Sequence, residues 1–207
     1  MPLQVYYIRH GETDWSKSGQ HTGRTDRPLT GQGEQNARNL AGRLASVGFS
    51  HVLTSPRQRA RRTCELAGLG AGALIDVDLA EWDYGDYEGK RTADILEGRP
   101  SWNLFKDGCP NGETPQQIAG RADRLICRLR LLEGNVALFS HGHFGRVLAV
   151  RWIMLPVAEG ERFMLDTASV SILGFERGDL AAPAIRLWNG WVTGGSASFP
   201  VAGMPVA

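Results

Sequence analysis

Two runs in this chain set a histidine between an apolar segment and a glycine: Val5-Tyr6-Tyr7-Ile8-Arg9-His10-Gly11 and Val136-Ala137-Leu138-Phe139-Ser140-His141-Gly142. In each, β-favouring residues end at a polar tip, and the glycine lets the backbone turn tightly there. Parallel neighbours in a sheet present the same end to the same side, and in open α/β sheets ligands bind at those ends. Two imidazoles would then share one pocket. A single histidine at a strand end is more often a hydrogen-bonded structural residue than a catalyst; the repeat of the pattern favours chemistry.

Arginine is the third element. Arg9 abuts the first histidine, and Ser55-Pro56 introduces a segment carrying Arg57, Arg59, Arg61 and Arg62. Read as an N-cap followed by proline, Ser55-Pro56 predicts a helix start with Arg59 in the first turn, where the helix dipole and free N–H groups also favour an anion. Guanidinium and imidazole together suit a phosphoryl group, whose charge spreads over its equatorial oxygens. The fourth element is an acid. One of Glu81, Asp83, Asp86 and Glu88 at the rim could protonate a leaving oxygen and then deprotonate water, while the others read as a solvated acidic loop. The histidines and cysteines lack metal-ligand spacing, so neither metal nor cofactor is expected.

The elements that must position these groups alternate between strand and helix. Strands are expected at Leu3 to Ile8, His51 to Thr54, Leu74 to Val77 and Val136 to Phe139, with late strands at Ser169 to Phe175 and Ala184 to Trp188, antiparallel at the sheet edge. Thr30 caps a helix to about Val47, stopped by Gly48, with Ala37, Leu40, Ala41 and Leu44 on its apolar face. The Ser55-Pro56 helix should end at Gly68. Thr92 to Glu97 and Trp102 to Lys106 read as short helices, and Thr114-Pro115 opens a long amphipathic one ending near Gly134. A last helix follows His141 through about Met154. Thr13 to Pro28 reads as a loop over the first strand tip, and Leu79 to Gly89 as another. The pattern predicts a three-layer α/β/α sandwich with a mostly parallel central sheet. Residues 1–190 form a single domain in this reading, and 191–207, rich in Gly, Ser, Ala and Pro, a tail of little fixed structure.

A chain of 207 residues suffices for one substantial core. Its net charge of +1 gives no field to recruit nucleic acid or a membrane surface. All but Lys17, Lys90 and Lys106 of the 23 basic residues are arginine. Cys64, Cys109 and Cys127 read as reduced thiols, and the chain enters a strand almost at once, so a cytoplasmic protein without a signal peptide is expected.

These residues also match a known pattern. The chain resembles the histidine phosphatase, or phosphoglycerate mutase-like, superfamily in four motifs in the family's order. They are Arg9-His10-Gly11-Glu12-Thr13, Ser55-Pro56-Arg57-Gln58-Arg59-Ala60-Arg61-Arg62-Thr63, Leu79-Ala80-Glu81-Trp82-Asp83-Tyr84-Gly85 and Ser140-His141-Gly142-His143. The resemblance implies that His10 is the phosphoryl-accepting nucleophile, that Arg9, Arg59 and His141 hold the equatorial oxygens, and that Glu81 is the proton donor, without metal. It is nearest the acid phosphatase and sedoheptulose-bisphosphatase-like members, and it implies that Ser16, Thr22, Gly23, Tyr84 and Gly142 border the substrate; Arg146, five positions after His141, either meets a second phosphate or acidic tail or forms a surface salt bridge. Phosphoglycerate mutases of this family carry Arg after the acid, where this chain has Trp82, and a longer segment between the acid and the second histidine. A mutase must exclude water and a phosphatase admit it, so hydrolysis of a small phosphomonoester is the leading expectation. A cofactor-dependent phosphoglycerate mutase and a catalytically silent phospholigand-binding protein are the alternatives, and a homodimer is compatible with either branch.

Overall fold

The computed structural model describes residues 3–190. The tail expected at 191–207 lies outside the described residues. Six strands form one sheet: β1 (Gln4–Arg9), β2 (Phe49–Thr54), β3 (Leu74–Ile75), β4 (Asn135–Ser140), β5 (Val170–Phe175) and β6 (Pro183–Gly190), in the order β3-β2-β4-β1-β5-β6. Strands β1 to β4 run parallel to one another, and β5 is antiparallel to β1 and to β6. Only β6 therefore lies at that edge; β5 is an interior strand.

Among the described residues seven α-helices accompany the sheet: α1 (Asp14–Ser18), α2 (Gly31–Leu44), α3 (Gln58–Leu66), α4 (Thr92–Gly98), α5 (Leu104–Asp107), α6 (Pro115–Leu129) and α7 (Gly142–Trp152). The layering follows from the period-two alternation of β1. Val5 and Tyr7 point into a core with α6 and α7, including Ile118, Leu125, Phe144 and Leu148. Tyr6 and Ile8 point to the other face, against Leu40 and Leu44 of α2 and Cys64 of α3. Both faces of β1 are covered, which is why its sequence is continuously apolar rather than alternating.

The caps at Thr30 and Thr114 form as expected. Thr30 Oγ1 accepts from Gly33 N–H, and Thr114 and Gln117 close a capping box ahead of Pro115. Helices α2 and α6 end at Leu44 and Leu129, short of Val47 and Gly134, and three further differences have a hydrogen-bonded cause. The segment at Thr13 to Pro28 contains α1, capped by a Thr13–Ser16 box and closed by Gly19 at φ +79°. Helix α3 starts at Gln58, not at Pro56, because Ser55 Oγ accepts from Arg57 N–H in a local turn and Asp26 Oδ1 accepts from Gln58 N–H at 2.9 Å. Strand β3 stops at Ile75, since Asp76 caps a 3-10 turn at Val77–Leu79.

One buried contact ties the sheet to the second histidine. The Tyr7 hydroxyl donates to the His141 carbonyl at 2.7 Å and accepts from the His141 N–H at 3.0 Å. This fixes the backbone where β4 gives way to α7. Gly145 makes room for the Tyr7 ring, since a Cβ there would overlap the ring edge and stand 2.8 Å from Leu165 Cδ2. Gly145→Ala should therefore lower stability by about 1–3 kcal/mol, the usual cost of overpacking a filled core. Chemical denaturation checks this, and an unchanged midpoint would contradict the packing described.

Candidate active site

Strands β1 and β4 are parallel neighbours with Arg9 opposite Ser140, so the next residues, His10 and His141, leave the sheet side by side. His10 N–H donates to Ser140 O at 2.9 Å, and the two rings meet edge-on with centroids 5.2 Å apart. His10 Nδ1 stands 2.7 Å from its neighbour's carbonyl, Gly11 O. A carbonyl only accepts, so Nδ1 carries the hydrogen and Nε2 keeps its lone pair. Burial, then Arg59 and Arg9, push the His10 pKa well below the ordinary imidazole value, which keeps the ring neutral.

Arg59 is fully buried on α3 and makes four of its five possible N–H bonds to protein. Nε donates to His141 Nδ1 at 3.1 Å, Nη1 to Thr25 O, and Nη2 to Thr22 O and Gly23 O. With Nδ1 accepting, His141 Nε2 carries the hydrogen and donates to Ser55 Oγ at 2.7 Å. Burial and Arg59 hold the His141 pKa well below the usual value too. The loop that grips Arg59 is itself held by Glu88, whose Oε1 accepts from Gly23 N–H and Thr25 N–H at 2.9 and 3.0 Å. Thr63 Oγ1 donates to Arg59 O and accepts from Gly11 N–H, joining α3 to the turn after His10.

Two helix N-termini reach this region, and side-chain carboxylates occupy both. Asp26 takes that of α3, so the anion expected there is the protein's own. Glu81 takes that of α7: Oε2 accepts from His143 N–H at 3.0 Å, and Oε1 from Phe144 N–H and Trp82 N–H, each at 2.8 Å. A carboxylate offers about four lone-pair positions. Three are filled, and the one left on Oε2 is where a transferable proton would sit. Arg9 donates through Nη1 to Leu165 O, while its Nε is buried without a partner. Gly142 underlies this guanidinium, as a Cβ there would stand 3.2 Å from Arg9 Cζ.

Arg9, His10, Glu81, Tyr84, Ser16 and Thr22 line one cavity of about 170 Å³ together with Gln20, His21, Thr92 and His143. Arg59 and His141 stand behind His10 rather than on this wall. The expected substrate contacts fare unevenly. Ser16 reaches the cavity, but its hydroxyl is committed to Thr13, accepting from N–H at 2.9 Å and donating to the carbonyl at 3.0 Å. Gly23 spends its N–H on Glu88 and its carbonyl on Arg59, so it faces no ligand. Gly142 acts by making room for Arg9. Arg146 is turned away: Nε donates to Gly160 O and Nη2 to Glu161 O, both at 2.8 Å, and the guanidinium lies 4.5 Å from the Phe105 ring centroid. Burial lowers its pKa to about 10. It clamps the 3-10 segment Val157–Arg162, a role that position in the sequence does not reveal.

Tyr7, His21 and His143 were given no role from the sequence, Ser55 only that of a helix cap, and Glu88 that of one candidate acid among four. His143 had a signal, as it follows the Ser140-His141-Gly142 tip directly. Glu88 lay among four acids that nothing in the sequence ranked. Among the described residues no group of three or more His, Cys, Asp or Glu is placed to hold a metal ion.

The chain is 46% identical over 180 residues to an acid phosphatase of Mycobacterium tuberculosis, covering 84% of this chain and 88% of that one. It is 33% identical over 250 residues to a sedoheptulose 1,7-bisphosphatase of Saccharomyces cerevisiae, covering 90% and 92%. It is 32% identical over 200 residues to a probable phosphoglycerate mutase of Salmonella paratyphi B, covering 92% and 90%. A solved structure of a Mycobacterium tuberculosis open reading frame superposes with a TM-score of 0.85 at 38% identity, covering 91% of this chain and 98% of the other. The sequence pattern of the histidine phosphatase superfamily (branch 1) matches residues 5–189, and the chain belongs to that family.

Proposed function

We propose that this protein is a metal-independent phosphomonoesterase acting on small phosphorylated metabolites through a phosphohistidine on His10. The observation that carries the reading is the state of His10: a neutral ring whose Nε2 lone pair is free, on the wall of a cavity it shares with Arg9 and Glu81.

In this mechanism His10 Nε2 attacks phosphorus in line as the bond to the leaving oxygen breaks. Glu81 Oε2 gives its proton to the departing alkoxide. Water then attacks the phosphohistidine, Glu81 takes back a proton, the N–P bond breaks and inorganic phosphate leaves. Arg9, on the cavity wall with its Nη2 taken by no hydrogen bond among the described residues, is the donor for the developing charge. Arg59, buried behind His10, adds positive charge close to the transferring group without lining the cavity. His141 acts mainly by holding Arg59 and backing His10, in place of the direct oxygen contact expected for it. Free Cys64, Cys109 and Cys127 support a reducing, cytoplasmic setting, and among the described residues no helix is long and apolar enough to cross a membrane.

Release of inorganic phosphate from p-nitrophenyl phosphate, undiminished by chelator, tests the activity. A phosphoglycerate mutase assay with bisphosphoglycerate separates the mutase reading, since transfer faster than hydrolysis would favour it. The pH profile follows from His10. Because its pKa is lowered, the nucleophile stays neutral as pH falls through the ordinary imidazole value of about 6.5. Activity should persist below that pH, with the acid limb further down; a loss centred near 6.5 would contradict the buried, neutral state. Glu81→Gln should cost far more with an alkyl phosphate than with p-nitrophenyl phosphate, whose leaving group needs no proton, by about 10²–10⁴-fold for the alkyl ester. Parallel kinetics on the two esters check this, and equal losses would remove Glu81 as the acid.

A further inference from the structure

The cavity wall away from Arg9 carries chemistry that the transfer step does not use. His21 comes from the segment after α1, Thr92 from the start of α4 and His143 from the first turn of α7. Each imidazole has one nitrogen fixed. His143 Nδ1 lies 2.6 Å from the Tyr84 hydroxyl, and His21 Nε2 lies 3.3 Å from Thr92 Oγ1. The His21 ring stacks on Tyr84 with centroids 4.7 Å apart at an interplanar angle of 30°, and lies 5.7 Å from His143. The remaining nitrogens, His143 Nε2 and His21 Nδ1, have no hydrogen-bond partner among the described residues, and neither is sealed from the cavity. Burial brings the His21 pKa down to about 4 and that of His143 well below the usual value, so both rings are uncharged at neutral pH.

The charge on this wall is as informative as its hydrogen bonds. Arg9 is the only cation among the cavity-lining residues, and the transferring phosphoryl group claims it. Arg146, which could have met a second anion, binds the carbonyls of Gly160 and Glu161 through Nε and Nη2 and does not line the cavity. A leaving group with a second phosphate or a carboxylate would bury its charge against neutral rings, an uncompensated desolvation. A hydroxylated neutral group would instead find donors and acceptors of matching kind. The cavity of about 170 Å³ is smaller than sites that enclose drug-sized ligands, about 300–1,000 Å³, so a compact alcohol is held within it whereas a nucleoside would extend out of its open side.

We propose that His21, Thr92 and His143 form a leaving-group subsite for a compact neutral polyol. The substrate is then the monophosphate ester of a small sugar or sugar alcohol that bears no second anionic group. This rests on the phosphomonoesterase reading and adds to it the class of alcohol released.

The test is steady-state kinetics on the full chain with pentose and hexose monophosphates, their matched bisphosphates, a nucleoside monophosphate and p-nitrophenyl phosphate. The wild-type protein should favour the best sugar monophosphate over its matched bisphosphate and over the nucleotide by at least about tenfold in kcat/KM, the discrimination one satisfied polar contact provides. His143→Phe and His21→Phe keep a ring and remove its nitrogens. Each should lower kcat/KM for the sugar ester about tenfold more than for p-nitrophenyl phosphate, chiefly through KM, with partial recovery in His143→Gln. Thermal melts report folding, and Thr92→Val carries the same test if a histidine variant does not fold. A bisphosphate or nucleotide preferred by the wild type, or equal losses on the two esters, would overturn the subsite. Wild-type protein that hydrolyses no ester, p-nitrophenyl phosphate included, would overturn the phosphatase reading itself.

Discussion

The constraint on which the site depends is the parallel pairing of β1 with β4, in register at Arg9 and Ser140. Their sequences are far apart, yet the pairing places two histidines one residue past the same sheet edge. A slip of one residue would turn every side chain of β1 to the opposite face, exchanging the environments of Tyr7 and Ile8. Register is pinned by burial on both sides, by the Tyr7 hydroxyl on the His141 backbone, and by the close approach of Gly145 to the Tyr7 ring. The site is thus a consequence of core packing, and its precision comes from strands rather than loops.

Electrostatics then sorts the groups into roles. Two guanidinium groups beside buried imidazoles favour neutral rings, so the same arginines that would stabilise phosphoryl charge keep His10 nucleophilic. Glu81 accepts from three backbone N–H groups, two at the start of α7 and one from Trp82, and lines the same cavity as His10. Arg59 is held by carbonyls of the 22–25 loop, which Glu88 organises from behind. A charge held in this way needs little reorganisation when an oxyanion forms.

Much of this was legible in the sequence. Continuous apolar runs ending in His-Gly announced β1 and β4, and cap-plus-proline chemistry at Thr114-Pro115 announced α6, because these signals are local. The start of α3 was misplaced because Ser55 and Pro56 carry the same local signal, while the deciding partners, Asp26 and His141, come from elsewhere in the chain. Helix α1 was missed because its capping box ends in Ser16 rather than Glu or Gln. The fold gathers Arg9, His10, Arg59, Glu81 and His141, but Gly23, the Ser16 donor and two N–H groups of Arg146 are already bound within the protein. Sequence supplies residue types; which donors are already spent depends on carbonyls and carboxylates brought in by the fold.

The central claim is that a neutral His10 takes the phosphoryl group. Rapid quench of the protein with a phosphomonoester substrate, followed by intact mass and peptide mapping, tests it most directly. The account predicts one added phosphoryl group, acid-labile and base-stable, on His10, accumulating further when water attack is slowed in Glu81→Gln. Phosphate on another residue, or turnover at an undiminished rate in His10→Ala, would contradict it.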